Sequence, residues 1–117
     1  MVRIREADVS DVDVLVDIIR TANQVVADQL GLTLDNAPTH PSNCQPDWIK
    51  RDFSRGITYY ILEGDDYPIG CVAFEQSENR VCYLERLAVR PSYQKQGFGK
   101  RLVELFLRKP KLWGMRK

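Results

Sequence analysis

The sequence is poor in the residues that usually build metal sites and disulfide frameworks. His40 is its one histidine, and its three cysteines, Cys44, Cys71 and Cys82, are odd in number and lack C-x-x-C spacing. A zinc site or a disulfide framework needs more ligands at closer spacing. The sequence therefore predicts reduced, structural thiols and no bound metal.

Long apolar segments are also missing. No apolar run approaches the roughly 20 residues that span a bilayer, and the first residues lack the basic-then-apolar pattern of a secretory signal. Hydrophobic residues make up 44% and charged residues 28% of 117 residues, the balance of an ordinary globular domain. We therefore expect one domain over residues 1–117, a cytoplasmic location and no contact with a membrane.

Charge is distributed unevenly along the chain. The net charge is +1, but residues 100–117 carry seven basic residues against one acidic residue, which gives +6 there and −5 for residues 1–99. A basic segment of this kind is consistent with nucleic-acid binding, or with attraction of a polyanionic cofactor and of the negative end of a helix. The second interpretation is the more economical, so nucleic acid is the weaker alternative.

Hydrophobic periodicity and turn residues predict the order strand, helix, helix, three strands, helix. The predicted bounds are a strand over 2–6, a helix capped by Ser10 and stopped at Gly31 with a possible kink at 21–23, a loop over 31–45, a helix over 46–56, strands over 57–63, 67–75 and 80–89, and a helix over 101–107 that Pro110 ends or kinks. Short connections make the three strands an antiparallel meander, which argues against a dinucleotide-binding βαβ unit.

The 31–45 loop is long for a compact domain, and loops of this length are often functional. We expect His40 and Cys44 to be exposed loop residues. Trp48, in the helix that follows, is expected in the core or in the wall of a pocket.

Two glycines stand where the last helix starts. Gly97 and Gly99 follow a strand that Pro91 ends, so N–H groups at the helix start are not covered by side chains. Such groups bind anions, typically phosphate, and Lys95 and Lys100 add positive charge. The same G-x-G spacing is also common in plain turns, so the spacing alone leaves both interpretations open.

A longer pattern around these glycines is specific. Leu87-Ala88-Val89, a short turn, and then Gln94-Lys95-Gln96-Gly97-Phe98-Gly99 resemble the acetyl-CoA signature of the GNAT superfamily of N-acetyltransferases, whose core is (Gln/Arg)-x-x-Gly-x-(Gly/Ala). The resemblance in element order extends to about Lys109. It implies an α/β fold with a mixed, mostly antiparallel sheet flanked by helices and truncated after the third helix, where residues 111–117 resemble the run that enters the family's fifth strand.

The resemblance also implies which residues bind acetyl-CoA, the expected cosubstrate. The backbone of the fourth strand would pair with pantetheine, a backbone N–H near Leu87 would polarise the thioester carbonyl, and the turn would surround the pyrophosphate. The implied cofactor-binding residues are Leu87, Ala88, Val89, Gln94, Lys95, Gln96, Gly97, Phe98, Gly99 and Lys100. Tyr93 is expected to pack rather than to bind.

The general base is left open between two positions. Glu85 matches a carboxylate that some polyamine-type members place beside the thioester, whereas other members have a glutamate two residues earlier, where this chain has Tyr83. Strand alternation would put Glu85 on the face of Tyr83, Leu87 and Val89, where apolar neighbours raise a carboxyl pKa. The alternative is a structural carboxylate paired with Arg86 or Arg80.

The function that these residues favour is transfer of acetyl from acetyl-CoA to a primary amine by direct attack in a ternary complex. A small amine, a polyamine, an amino acid or a protein N-terminus all remain open as acceptor. The alternative is a non-catalytic acyl-CoA-binding module, and the thiolate-protonating tyrosine of the family has no counterpart here. An unpaired fourth strand also predicts a homodimer through that edge, or cover by the basic tail.

Overall fold

The computed structural model of the protein describes residues 2–77 and 81–114, with side chains through residue 108. Within these residues the predicted order of strands and helices is confirmed. The elements are β1 (Val2–Glu6), α1 (Val12–Leu30), α2 (Pro46–Ser54), β2 (Thr58–Gly64), β3 (Tyr67–Gln76), β4 (Cys82–Val89) and α3 (Phe98–Gly114), with short 3₁₀ turns at Val9–Asp11, Pro41–Asn43 and Pro91–Tyr93.

The sheet has the strand order β1-β2-β3-β4, and every neighbouring pair is antiparallel. Helices cover both of its faces, so the predicted α/β class with a helix-flanked sheet is confirmed. Among the described residues β4 is an edge strand with one side unpaired. Pairing of two chains through this edge stays a prediction, which light scattering over a dilution series checks.

Two hydrophobic cores hold the layers together. The first core lies between the sheet and the pair α1 and α2, and the second lies between the sheet and α3. Fully buried members of the first core are Leu15, Ile18, Cys44, Ile49, Tyr59, Ile61, Cys71 and Ala73, and those of the second are Leu62, Val72 and Leu102. None of the helices in the described part of the chain is long and apolar enough to cross a membrane.

The start of α1 differs from the prediction. Ser10 is not the cap; Asp8 accepts from the Ser10 N–H while the Asp11 carboxylate accepts from the Asp8 N–H, and this reciprocal pair forms a capping box on the preceding 3₁₀ turn. The helix then runs as one element to Gly31, whose φ of 68° ends it as predicted.

The long loop is more ordered than its composition indicates. Cys44 is fully buried in the first core, so its predicted exposure is wrong, and its carbonyl accepts from Arg20 Nε at 2.5 Å. His40 is half-buried, and its Nδ1 accepts from the Ser42 N–H, which starts the Pro41–Asn43 turn. The bond from Arg20 ties the end of the loop to α1, whereas the loop tip, Pro38 and Thr39, stays at the surface.

The last helix begins earlier and extends further than predicted. It starts at Phe98 and continues past Pro110 to Gly114, so Pro110 does not end it, and residues 111–114 are helical rather than the start of a strand. An interior proline costs about 3 kcal/mol through one lost N–H and a crowded carbonyl. Leu102 and Phe106 pack the part of α3 before Pro110 on the sheet. Residues 115–117 lie outside the described range, as does Arg80.

Gly70 allows β3 to approach β4 closely beside the end of β4. It pairs with Val89, and a Cβ on Gly70 would lie 2.7 Å from the Ala88 carbonyl oxygen, a backbone atom that cannot rotate away. Any side chain there therefore forces the two strands apart.

We expect Gly70→Ala to lower the free energy of unfolding by about 1–3 kcal/mol, the usual cost of forcing atoms into a packed site. Urea denaturation followed by circular dichroism measures it. Gly99→Ala is the matched control, because its Cβ would meet only Val89 Cγ2 at 3.8 Å. A Gly70→Ala protein as stable as the wild type would show that the strands are not in close contact there.

Candidate functional site

A β-bulge in β4 sets the geometry of the site. Glu85 pairs with Ala73 and Ala88 pairs with Cys71, so Arg86 and Leu87 lie opposite the single residue Val72. Arg86 has a φ of 52°, which is unusual for a residue with a side chain. The extra residue leaves backbone groups of β4 without a ladder partner and bends the strand at this point.

The bulge also changes which side chains share a face. Ala88 packs in the first core and Val89 packs against the second. Simple alternation along β4 from Glu85 would have placed these two side chains on the opposite faces. The prediction that Glu85 shares a face with Val89 is therefore wrong. Because of the inserted residue, Glu85 and Arg86 both turn toward the α2 side of the sheet, where Glu85 meets Glu75 and Arg86 meets Asp52.

Asp52 holds the bulge in place. Its side chain is almost fully buried on α2, and Oδ2 accepts from Tyr59 Oη at 2.5 Å and from Arg86 Nε at 3.0 Å. Burial, together with the bond to Asp52, raises the pKa of Tyr59, so this phenol stays a donor. On the strand side the Cys71 thiol lies 3.6 Å from the Arg86 carbonyl oxygen. Residue 86 is thus held by its side chain and by its backbone.

Glu85 forms a carboxyl pair with Glu75 of β3. The hydrogen bond with Glu75, followed by burial and by repulsion from the charges of Glu75 and Asp52, raises the pKa of Glu85 to about 7. Arg55 Nη2 lies 2.7 Å from Glu75 Oε2, so the proton of the pair is held on Glu85. The expected rise in pKa is present, but its main cause is a second carboxylate rather than apolar neighbours. Glu85 does not pair with Arg86, which bonds Asp52 instead.

Tyr83, the second candidate, lies beside this pair. It is opposite Glu75 in the ladder and therefore on the same face as Glu85, with 51% of its surface exposed. The structure thus brings both sequence-predicted residues together around Glu75. Glu85 has the shifted pKa, which makes it the better proton acceptor near neutral pH.

The turn after β4 keeps its own side chains away from its centre. Gln94 Nε2 donates to the Val89 carbonyl at 2.9 Å, and Gln96 Nε2 donates to the Ser92 carbonyl at 3.1 Å. Both amides therefore stabilise the turn. Lys95 and Gly97 have positive φ values of 64° and 86°, and a Cβ on Gly97 would meet no atom within 4 Å, so it would project into open space.

The start of α3 presents unbonded backbone donors. The first hydrogen bond of the helix runs from Arg101 N to the Gly97 carbonyl at 3.1 Å. The N–H groups of Phe98, Gly99 and Lys100 precede it and have no acceptor among the described residues. They stand at the positive end of a 17-residue helix, with Lys95 and Lys100 exposed nearby. This arrangement can bind a phosphate group.

Aromatic and charged anchors fix the turn to the fold. Phe98 and Tyr93 pack against the second core with ring centroids 6.2 Å apart, as predicted for Tyr93. Arg90 Nη1 lies 2.7 Å from Asp17 Oδ2 on α1, and Arg90 Nε donates to the Pro68 carbonyl at 2.7 Å. The turn is therefore tied to both faces of the sheet.

A cavity of about 260 Å³ adjoins β4 on its α1 side. It is lined by Ile19, Asn23, Pro41, Arg86, Leu87 and Ala88. Two of the residues expected to contact pantetheine, Leu87 and Ala88, thus face open volume. Val89 does not line it, because Val89 packs toward α3.

Sequence reasoning missed Glu75, Asp52, Arg55 and the role of Arg86. Asp52 had a detectable signal, since it lies four residues after Trp48 and three after Ile49, on the apolar side of an amphipathic helix. No pattern in the sequence indicates a role for Glu75, because a glutamate near the end of a strand is not unusual. The described residues contain no group of three His, Cys, Asp or Glu side chains that could hold a metal ion.

Comparison with known proteins gives the family. The model of the Acetyltransferase (GNAT) family matches residues 24–117, and no curated protein matches the chain. Among solved structures, PaiA N-acetyltransferase from Thermoplasma acidophilum in complex with coenzyme A superposes with a TM-score of 0.81 at 17% identity, covering 97% of this chain and 74% of that one.

Two further structures have the same fold. A GNAT family acetyltransferase from Brucella melitensis in complex with acetyl-CoA gives a TM-score of 0.76 at 17% identity, over 97% of this chain and 71% of that chain. One from Staphylococcus aureus gives 0.72 at 16% identity, over 97% and 68%. Because the family model covers most of the sequence and these folds superpose over nearly all of it, the chain belongs to the GNAT acetyltransferase family.

Proposed function

We propose that the protein is an N-acetyltransferase that moves an acetyl group from acetyl-CoA to a primary amine by direct attack in a ternary complex. The observation that carries this proposal is that the Glu75–Glu85 pair lies at the middle of β4 and the phosphate-binding turn follows the end of the same strand. An acid–base group and an anion site on the same strand suit a long, phosphorylated thioester.

The residues of the turn fit coenzyme A. Its pyrophosphate would take the N–H groups of Phe98, Gly99 and Lys100, while Lys95 and Lys100 would add positive charge. The Thermoplasma structure in complex with coenzyme A and the Brucella structure in complex with acetyl-CoA support the same cosubstrate for this chain. Acetyl-CoA supplies an activated acyl carbon; the rest of the chemistry depends on this chain's own side chains and backbone.

Glu85 is the proposed base. A primary amine must lose a proton to remain neutral after attack, and Glu85 with a pKa of about 7 accepts that proton near neutral pH. The nitrogen forms a bond to the acyl carbon, the carbon–sulfur bond breaks, and the thiolate recovers a proton from solvent or from the acid form of the pair. A backbone N–H near Leu87, beside the bulge, would donate to the carbonyl oxygen and would be worth roughly 3 kcal/mol of barrier.

Mass spectrometry of the purified protein with acetyl-CoA and a mixed panel of amines tests the proposal directly. Equal amounts of acetylated amine and free coenzyme A are expected. Binding of acetyl-CoA without turnover of any amine would instead identify a non-catalytic acyl-CoA-binding module.

We expect Gly97→Val to weaken coenzyme A binding by at least about tenfold, because a Cβ at Gly97 projects into the open space at the start of α3 where the phosphates would lie. Calorimetry with coenzyme A measures the affinity. Gly31→Val is the matched control. It adds similar backbone strain at a φ of 68° and also meets no atom within 4 Å, but it lies far from the turn and should leave the affinity unchanged. Unchanged affinity in Gly97→Val would place the phosphates elsewhere.

The Glu85→Gln variant tests the base through pH. In the wild type, kcat/KM should rise with pH through about 7 as Glu85 loses its proton. The variant should lack that rise, and its loss of about 10²- to 10⁴-fold should be greatest above pH 7. Wild-type rates in the variant across the pH range would exclude Glu85 as the base.

Stability gives an independent check on the same pair. The folded-state pKa of Glu85 lies above its ordinary value of 4.5, so the neutral carboxyl is favoured by folding. The contribution of this carboxyl group to the free energy of unfolding is complete below about pH 4.5 and is lost as the pH rises to about 7. Glu85→Gln keeps a neutral donor toward Glu75 at every pH. We therefore expect its Tm, relative to that of the wild type, to be higher at pH 8 than at pH 4.5.

A further inference from the structure

A second cavity lies beyond Arg86, between the long loop, α2 and β4. Its volume is about 370 Å³, within the range of small-molecule sites. The lining residues are Pro38, Thr39, Trp48, Arg51 and Arg86. Two of the five are arginines and none is acidic, although the Asp52 carboxylate behind the wall binds the Nε of one of them, Arg86.

Arg86 is positioned to bind a ligand from this wall. Its Nε is occupied by Asp52, while its Nη groups have no acceptor among the described residues. The guanidinium carbon lies 5.6 Å from the centre of the Trp48 ring, which restricts its motion. A guanidinium held in this way offers fixed donors to a planar anion.

Arg51 supplies a second, uncommitted cation. It is exposed on α2 and has no ion pair within the described parts of the chain. One turn later on the same helix, Arg55 is already engaged by Glu75 and by Asp52. Arg51 is therefore free to bind an incoming anion at the mouth of the cavity.

The acid–base pair adjoins this cavity. Glu85 directly precedes Arg86, and the bulge turns both side chains toward α2. Glu85 does not line the cavity, but it lies near enough to Arg86 for the charge of that guanidinium to act on its pKa. A proton acceptor for an amine therefore lies next to one of the two cations that line the cavity. A ligand that satisfies both carries an amine and a carboxylate at short separation. A polyamine would place a second positive charge against two arginines, which is unfavourable at short range.

We propose that the acceptor is a small primary amine that also carries a carboxylate, as amino acids do, and that Arg51 and Arg86 bind this carboxylate while the amine faces Glu85. The proposal rests on the proposed acetyl transfer and names its substrate class.

Matched acceptors test the charge requirement. Initial rates are compared for a panel of amino acids, for the corresponding amino acid amides, and for spermidine. We expect kcat/KM to be at least about tenfold higher for the best amino acid than for its amide, because a charge-assisted bond is lost in the amide. Equal rates for the pair, or a preference for spermidine or for a peptide N-terminus without a nearby carboxylate, would overturn the proposal.

Variants assign the effect to the cavity. Arg51→Gln should lower kcat/KM for the amino acid by about 10- to 100-fold, mainly by raising KM, and should leave the amide unchanged. Arg108→Gln removes the same charge from an exposed position on α3 across the sheet and should change neither acceptor. An Arg51→Gln variant with wild-type KM for the amino acid would contradict the assignment.

A binding measurement distinguishes failure of the proposed substrate class from failure of the proposed acetyl transfer. Calorimetry of the amino acid against the wild type and Arg51→Gln, each saturated with coenzyme A, needs no turnover, and weaker binding in Arg51→Gln is expected. Acetylation of amines with no preference for the carboxylate would refute the substrate class and leave acetyl transfer standing. Failure to bind coenzyme A or to acetylate any amine would refute acetyl transfer, and absence of amino acid binding would then refute the substrate class as well.

Discussion

The hydrogen bond between Asp52 and Arg86 is the contact on which the site depends. A left-handed backbone at a residue with a side chain is unfavourable, and the Asp52 carboxylate compensates for it from the far side of the first core. With Arg86 fixed in this conformation, β4 accommodates one extra residue at the bulge. The bulge then determines on which face of the sheet the side chains of Glu85, Ala88 and Val89 lie. One bond between a helix and a strand therefore determines which side chains meet at the site.

The two halves of the site are built in different physical ways. The turn before α3 acts through backbone N–H groups, and its specific requirements are glycine, positive φ values and anchors such as Phe98 and Arg90. The acid–base side acts through side chains from three elements, α2, β3 and β4, whose charges influence one another.

Sequence patterns predicted the parts of the molecule that local rules determine. The order of strands and helices along the chain, the stop at Gly31 and the glycines at the start of α3 follow from periodicity and from the properties of glycine, each set within a few residues. The register shift at Arg86, the pairing of Glu75 with Glu85 and the burial of Cys44 depend on contacts between distant segments. Pro110 marks a limit of the local rules themselves, because α3 continues past it to Gly114.

The burial of two cysteines has a practical consequence for chemical labelling. Cys44 and Cys71 are fully buried, and burial raises both thiol pKa values, that of Cys71 to about 12. Since the thiolate is the reactive form, both resist alkylation in the folded protein. Cys82 is half-exposed at the first residue of β4. A maleimide fluorophore would therefore attach at that one position in the native wild-type chain and place a spectroscopic reporter at the edge of the sheet.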